Sequence, residues 1–514
     1  MGVIESAGAL GSRISNLTVI VALALVTYQL SIYVYNIFFH PLRKFPGPLL
    51  SAASCLPLCR KNLSGDQQFW ITELHAKYGE VVRYSPNELS FSSGDAWKDI
   101  YGHRKAGQPI LKKNPKFYLA PVANEHERVF NIIDSDNVNH TRIRRIFSNA
   151  FSDRALKLQE QLFLKYVDKL VSNLLRDTKA DPNAKFNMVN QYNFTTFDVM
   201  SDLCFSEPLN LLENTEYHSW VAAMFANFRY GIYLFTIRYY QVVEKSLLAL
   251  IPRLNPGMAE KQKLHHQFTQ ARVDKRMEIK EKRPDIWGLV LEKDEELGMT
   301  RKEMYANAQL FMIAGTETTA TLLSGLTYYL LAHPDKMKLL ADEIRGAFPS
   351  TDDISIEKLQ SLKYLHACIE EGLRMYPPVS NGLPRVVPEG GVMVDDTFVP
   401  PGASISLTQY SCYRNPKNFK DPYDFVPERW LADNTEYATD KKHALQPFSY
   451  GPRNCLGKNM AYHEMRLILA KLLYNFDIKL CEESSQWIDQ KIYIMWDKPE
   501  LKCQLVPIRS HRTS

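Results

Sequence analysis

The clearest hydrophobic pattern lies near the N-terminus, where residues 17–39 form an almost uncharged run. A helix of that length can cross the hydrocarbon core of a bilayer. Aromatic residues gather at the C-terminal end of the run, as they do at membrane interfaces. We therefore predict a transmembrane anchor at 17–39, preceded by a short segment at 1–16. A cleaved signal peptide is the alternative, but the run is too long and lacks a small-residue cleavage site.

The stretch 40–54 is basic and rich in proline. Proline fixes φ and disfavours helix in the residue before it, so Phe45-Pro46-Gly47-Pro48 predicts a stiff hinge. Residues 55–514 then form one large predicted domain. Basic residues are slightly more frequent after the apolar run than before it, which places this domain on the cytosolic side of a membrane.

Within that domain, helical patterns alternate with short strand-like ones. A long helical pattern runs from Thr300 to His333 and is stopped by Pro334. Another helix is predicted at 139–147. The stretch 78–91 has the alternation and turn signals of a hairpin. Further short strands are predicted at 383–387, 391–394, 404–407 and 492–496. These patterns predict a mainly α fold with a small β-sheet region.

The stretch 217–240 is dense in aromatic residues. Such a segment is either a core helix or an amphipathic lid that contacts a membrane. The pattern alone favours neither interpretation.

Composition excludes several classes of function. The 514 residues are 45% hydrophobic and 23% charged, and a net charge of +5 without a basic block gives no reason to expect nucleic acid. The eight cysteines are scattered without C-x-x-C spacing, so neither a disulfide framework nor a zinc site is expected. Scattered thiols fit a reducing compartment.

One cysteine differs from the others by its surroundings. Cys455 lies in a turn that contains Gly451, Pro452 and Gly457, and a helical run follows at once. A helix N-terminus favours a thiolate, and glycines allow close approach of the backbone to a flat group. A lone cysteine is more often simply buried, so the case for a functional thiolate depends on the full pattern Phe-x-x-Gly-x-Arg-x-Cys-x-Gly at 448–457.

That pattern resembles the haem-binding loop of the cytochrome P-450 family. The resemblance extends over most of the chain after residue 40. It implies the P-450 fold, with haem b as cofactor and Cys455 as the axial thiolate ligand of the iron. It also places Phe448 beside the sulfur and Arg453 at a haem propionate.

The long helix around 300–333 carries Ala314-Gly315-Thr316-Glu317-Thr318 at its centre. Glycine within a helix usually has a packing or functional reason. Ala314, Gly315 and Thr318 can let that face approach a flat cofactor, and the Thr318 hydroxyl can bond back to the Ala314 carbonyl. Taken alone, a Glu-Thr pair on a helix is usually structural. By resemblance, Glu317 and Thr318 deliver protons during oxygen activation.

His140 and Arg144 are four residues apart and share one helix face. A solvated basic face is the commoner outcome for such a pattern. By resemblance they contact the haem propionates, as Arg385 does. In the same way Glu371, Arg374 and Arg429 are expected to form a buried structural network behind the haem, although an isolated exposed pair would contribute little.

The resemblance implies insertion of one oxygen atom of O₂ into a hydrophobic small molecule, by hydroxylation or epoxidation. Electrons would come from NADPH through a separate reductase, because no flavin or nicotinamide fingerprint occurs in the chain. Lys458 and the face formed by Arg142 and Arg145 could bind that reductase.

The stretches 39–48 and 451–459 resemble fungal members that modify polyketides, terpenoids or alkaloids. The implied location is the endoplasmic reticulum membrane, with a single pass. Two alternatives are a haem-thiolate rearrangement enzyme and a non-catalytic membrane-anchored binding protein. Both would be expected to lack some of the motif residues that this chain keeps.

Overall fold

The computed structural model describes residues 2–105, 107–119, 128–216, 220–221, 231–254, 256–281, 283–291 and 298–508. The described chain is mainly helical with small sheets, as predicted. The α-helices, in chain order, are α1 (Gly2–Phe38), α2 (Leu49–Ala53), α3 (Leu56–Ser64), α4 (Gln67–Tyr78), α5 (Ala96–Tyr101), α6 (Pro115–Tyr118), α7 (Asn137–Ser148), α8 (Asp153–Ala180), α9 (Met188–Phe205), α10 (Leu211–Asn214), α11 (Gln241–Leu254), α12 (Pro256–Glu278), α13 (Ile286–Leu291), α14 (Arg301–Ala332), α15 (Pro334–Ala347), α16 (Ile356–Leu359), α17 (Lys363–Met375), α18 (Gln409–Cys412) and α19 (Lys458–Asn475).

The strands form three separate small sheets. In chain order they are β1 (Val81–Ser85), β2 (Glu88–Phe91), β3 (Lys112–Lys113), β4 (Lys185–Asn187), β5 (Arg385–Val386), β6 (Val392–Val394), β7 (Thr397–Val399), β8 (Ser404–Leu407), β9 (Phe476–Leu480) and β10 (Lys502–Pro507). The largest sheet has the order β1-β2-β8-β5-β3, the second has the order β4-β10-β9, and β6 pairs with β7. The hairpin predicted at 78–91 is confirmed, because β1 and β2 are antiparallel with Val81 opposite Phe91.

The long helix α14 passes through the larger hydrophobic core and begins where the sequence predicts. The Thr300 side chain accepts from the Glu303 amide at 3.2 Å, and Glu303 accepts from the Thr300 amide at 2.9 Å. This capping box satisfies two amides at the helix start. Near its other end, a Cβ on Gly325 would lie 2.2 Å from the ring of Tyr376. Glycine therefore lets α14 approach the segment after α17.

The apolar N-terminal run forms the greater part of α1. Residues 16–38 have a mean hydropathy of 2.0, and the most apolar stretch within them has no buried residue. Most of its large apolar side chains are exposed, which is consistent with a membrane anchor. Its last turns contact the folded part, since Asn36 Nδ2 donates to the Ala53 carbonyl at 2.9 Å. The Asn36 carbonyl in turn accepts from Arg83 at 3.0 Å.

The prediction of a strand at 492–496 is wrong. Ile492 and Trp496 form only an isolated bridge, and the Tyr493 amide donates to the Met495 carbonyl at 3.0 Å in a tight turn. Trp496 stacks on Tyr376 with ring centroids 4.1 Å apart. The apolar residues of this stretch are therefore used for packing rather than for a strand ladder.

The aromatic stretch 217–240 divides between its two interpretations. Residues 217–219 and 222–230 lie outside the described residues. Among the rest, Trp220 is buried, whereas Tyr233 is 53% exposed. One end of the stretch thus belongs to the core, and the other presents aromatic surface.

Candidate haem site

A cavity of about 320 Å³ lies between the centre of α14 and the loop before α19. It gathers side chains from segments far apart in the sequence. The predicted site residues that line it are His140, Arg144, Ala314, Gly315, Thr318, Arg385, Phe448, Arg453 and Cys455. Nine of the ten residues predicted to be catalytic or to bind the cofactor thus lie together in the structure. Glu317 is the one that does not line the cavity.

The loop that carries Cys455 is held by backbone geometry. Ser449 and Gly451 have φ values of 61° and 75°, in the left-handed region. A Cβ on Gly451 would lie 2.1 Å from the Tyr101 carbonyl oxygen, so only glycine fits there. The Cys455 amide donates to the Phe448 carbonyl at 2.8 Å. The loop is therefore seated against α5, with its sulfur at the cavity.

Two opposing effects act on the Cys455 thiol. Burial raises its pKa, whereas a hydrogen bond from the Gly457 amide and the charges of Arg144 and Lys458 lower it. The amide and the nearby cations are the features expected around a thiolate ligand. They would stabilise negative charge on the sulfur when a cation binds it.

Opposite the cysteine, α14 presents a face of small residues. The Thr318 hydroxyl donates to the Ala314 carbonyl at 2.6 Å, as predicted. Gly315 lines the cavity and also has a packing role, because a Cβ there would lie 2.7 Å from the Met200 sulfur. The absence of a side chain admits a neighbouring helix, α9, while only the backbone of Gly315 borders the cavity.

Glu317 lies in a buried ion pair that the sequence did not reveal. Lys498 Nζ donates to Glu317 Oε1 and, at 2.8 Å, to Thr321. Both charged side chains are about 95% buried, with exposed fractions of 4% and 5%. The other oxygen of Glu317 has no hydrogen-bond partner in the described part of the chain. The carboxylate is thus held by Lys498, outside the wall that Thr318 helps to form.

Two arginines of the cavity wall each have a buried nitrogen without a hydrogen-bond partner among the described residues. Arg453 donates to the Ser135 carbonyl at 2.9 Å and to Asn137 at 2.8 Å, but its Nη1 atom is buried without a partner. Arg385 Nη1 is likewise buried without a hydrogen-bond partner. The guanidinium of Arg385 lies over the Tyr101 ring, 5.4 Å from its centroid. Buried cationic donors of this kind are normally paired.

The pKa values of two neighbouring basic groups show how strongly positive charge is crowded at this wall. Burial, together with Arg385 and Arg453, lowers the pKa of Lys113 to about 6. Burial and the neighbouring arginines likewise lower the pKa of His140 to about 3. Arg144 is engaged with Asn454, donating to its carbonyl at 2.7 Å and to its side chain at 2.6 Å. A cluster of this charge fits a ligand with carboxylates, such as the two propionates of haem.

Two cavity residues escaped the sequence analysis. Lys113 lies in the two-residue strand β3, and nothing in its local pattern marks it. Glu464 is buried in α19, and its burial raises the pKa to about 8 despite a hydrogen bond from Thr319. It shares the apolar helix face of Met460 and Met465. A carboxyl on such a face was the available signal, because buried carboxyls without a cation partner are uncommon.

Behind the cavity, Glu371, Arg374 and Arg429 meet in a fully buried network. Arg374 binds both oxygens of Glu371 at 2.7 and 2.9 Å, and Arg429 Nε donates to Glu371 Oε1 at 3.2 Å. Trp430 also donates to Glu371, at 2.9 Å. The side chains of Glu371, Arg374 and Arg429 have no exposed surface. The network joins α17 to the 3-10 turn Pro427–Trp430.

A largely helical fold that presents a cysteine to a cavity with incompletely paired arginines on its wall fits a haem-thiolate protein. The family model described as Cytochrome P450 matches residues 46–504. The chain belongs to the cytochrome P450 family. It is a monooxygenase with the fold of that family.

Similar proteins occur in several fungi. The chain is 44% identical to cytochrome P450 monooxygenase efuB of Hormonema carpetanum, over 93% of this chain and 94% of that protein. It is 46% identical to cytochrome P450 monooxygenase FUM2 of Gibberella moniliformis, over 92% and 100%. It is 39% identical to a trichothecene C-15 hydroxylase of Fusarium sporotrichioides, over 94% and 97%.

Proposed function

We propose that this monooxygenase hydroxylates or epoxidises a hydrophobic fungal metabolite, with a haem held by Cys455. The observation that carries the proposal is the cavity itself, which sets Cys455 opposite Ala314 and Thr318. When bound, haem supplies the reductive activation of O₂ and the transfer of one oxygen atom to carbon. The residues of the chain bind the haem, orient the substrate and move protons.

The basic groups of the wall have the task of holding the propionates. Arg385 and Arg453 have donors to spare, and Lys113 and His140 are basic groups of the same cavity whose pKa values are lowered by burial and by those cations. Arg144 lines the same cavity and also holds Asn454, the residue before Cys455. Planar guanidinium groups suit carboxylates, because they donate two parallel hydrogen bonds.

Proton delivery is the proposed role of Thr318 and Glu317. The Thr318 hydroxyl is at the cavity wall, and its bond to the Ala314 carbonyl uses one helix acceptor. Glu317 is one residue away but is held by Lys498. A rotation of Glu317 away from Lys498 would be needed for it to pass a proton towards Thr318. Lys498 therefore sets how readily that carboxylate takes part.

The proposed electron donor is an NADPH-dependent reductase that docks on the side of Cys455. Lys458 and Arg145 are exposed there. Arg142 is less suited to this role than its sequence suggested, because it is paired with Glu303 and donates to the Gly298 carbonyl at 3.0 Å. Exposed cations favour an acidic partner surface and increase its association rate.

We propose that α1 anchors the enzyme in the endoplasmic reticulum membrane with the catalytic part in the cytosol. The exposed apolar surface of α1 supports the anchor. A substrate from polyketide, terpenoid or alkaloid metabolism fits the apolar face of the cavity, which includes Phe311, Leu322 and Val379. One relative is named as a hydroxylase, which supports hydroxylation.

The decisive experiment replaces Cys455 by alanine in the full-length protein. We expect wild-type protein to bind haem and to give the carbon-monoxide difference band of a thiolate ligand, and Cys455→Ala to lose that band. Cys481→Ala is the control, since Cys481 is another free cysteine and lies outside the cavity. An unchanged band in Cys455→Ala would overturn the ligand assignment.

A further inference from the structure

The cavity of about 320 Å³ that Cys455 lines is called the haem cavity from here on. A second cavity, of about 90 Å³, adjoins it. It lies between α3, α4, the hairpin β1–β2 and α6. We call it the polar cavity, and its polar lining includes Asn62, Gln68, Tyr84, Glu88, Lys116 and Arg238.

The two cavities share a wall. In the stretch 113–118, Lys113 and Tyr118 border the haem cavity, whereas Asn114 and Phe117 border the polar cavity. The same division occurs in the stretch 382–385, where alternate residues line opposite sides. The two spaces are thus separated by single layers of residues. An elongated molecule that passes the edge of this wall would have one end in each cavity.

Three amides in the polar cavity are incompletely paired. Asn62 and Gln68 are buried, with exposed fractions of 6% and 2%, and neither side-chain oxygen has a hydrogen-bond partner within the described ranges. The side-chain oxygen of Asn381, at the same cavity, is also unpartnered. Buried amide oxygens are normally paired. Their grouping around an open space is the arrangement expected of a binding site.

The charged groups at the cavity are already engaged with other groups of the chain or lie at its exposed rim. Glu88 accepts from the Tyr239 hydroxyl at 3.1 and 3.2 Å, and burial raises the pKa of its carboxyl. Arg238 donates to the Lys116 carbonyl at 2.9 Å and pairs with Glu244 at 3.7 Å, and Lys116 is exposed. The unpaired groups inside the cavity are therefore the neutral amide oxygens, which a neutral hydrogen-bond donor can satisfy.

A hydroxyl group has the chemistry that the cavity requires. It donates and accepts, so it can pair with an amide in either orientation of that amide. Apolar side chains of Phe117, Phe235 and Ile494 lie in the same wall and suit an alkyl chain. We infer that the polar cavity binds a hydroxyl-bearing end of the substrate whose apolar part lies in the haem cavity. This inference rests on the proposed function of the haem cavity.

The test uses two matched series of 1-alkylimidazoles, with chains of increasing length that end in a methyl or in a hydroxyl group. The imidazole ligates the haem iron of the full-length holoenzyme, and the Soret shift reports binding without turnover. A terminal hydroxyl normally weakens binding in an apolar channel. We expect the reverse beyond a certain chain length, with the hydroxyl series binding roughly three- to tenfold more tightly.

Variants connect this preference to the polar cavity. The double variant Asn62→Leu, Gln68→Leu should lose the hydroxyl preference and keep the binding of short chains. Gln159→Leu is the matched control, because Gln159 is buried with an unpartnered oxygen but lies outside both cavities. Each single variant, Asn62→Leu or Gln68→Leu, provides a second measurement if the double variant loses haem.

Tighter binding of the methyl series at every length would overturn the inference, as would a hydroxyl preference that survives in the double variant. Failure of the proposed function looks different. In that case neither series, including the shortest chains, would shift the Soret band.

Discussion

At the residue scale, Lys113 shows how the site depends on a ligand that matches its charge. Burial, together with the nearby cations Arg385 and Arg453, lowers the pKa of its amine to about 6. A propionate at this wall would reverse that effect, because an opposite charge favours the protonated lysine. Lys113 therefore binds a proton when haem binds, and the two equilibria are linked.

Replacement of Lys113 by methionine tests this linkage. We expect Lys113→Met to release haem to apomyoglobin on the order of tenfold faster at neutral pH, since one charged hydrogen bond is lost. A propionate beside Lys113 would raise its pKa above the value of about 6 that it has without haem. Wild-type affinity should consequently fall as the pH rises through the range above that value, and this fall should be weaker in the variant.

Lys112→Met provides the control, because Lys112 is the exposed neighbour in the same strand. Haem release from the control should match the wild type at each pH. Equal release rates for Lys113→Met and wild type would show that Lys113 does not contact the propionates.

At the scale of elements, α14 separates two functions on two of its faces. One face carries Ala314 and Thr318 at the cavity, and another holds Glu317 against Lys498. A buried carboxylate without its cation is strongly unfavourable, so this pair stabilises the region after α19 against α14. The proposed relay thus uses a group that also has a structural role.

The Thr318 hydroxyl can be tested without removing that pair. Thr318→Ala should retain haem and its carbon-monoxide band but convert more of the consumed NADPH to hydrogen peroxide than to product. The reason is that the cavity wall loses its hydroxyl for positioning a proton. The ratio of peroxide formed to NADPH oxidised is the measurement, and Thr318→Ser should restore most of the coupling. Full coupling in Thr318→Ala would remove the relay role.

At the scale of the whole molecule, local signals predicted the site and distant contacts completed it. The Cys455 loop and the end of α14 were evident because turn residues and Pro334 act locally. The ion pair of Glu317 joins residues 181 positions apart, and Lys113 becomes important only where β3 meets β5. Local periodicity carries no information on such convergence. It also misassigned 492–496, where packing on Tyr376 replaces a strand.

The contact between α1 and the folded part predicts different results from two truncations. Deletion of residues 2–30 removes most of the apolar helix but keeps Asn36, so we expect a protein that leaves the membrane fraction and keeps its carbon-monoxide band. Deletion of residues 2–40 also removes the bonds of Asn36 to Ala53 and Arg83. It should lower the thermal midpoint, because Arg83 loses one of its buried acceptors.

Equal thermal midpoints for the two truncations would show that the last turns of α1 are not part of the folded unit. A deletion of 2–30 that stays in the membrane fraction would point instead to a second membrane contact on the catalytic part.

The bond between Arg83 and Asn36 has a consequence for movement. With α1 in a membrane, as proposed, and its last turns bound to Arg83 of β1, the enzyme would rotate about the bilayer normal and diffuse laterally, but its tumbling would be restricted. Encounters with an electron donor then become a search in two dimensions. Whether a collision leads to electron transfer would depend on the positions of the two partners' docking surfaces relative to the same membrane.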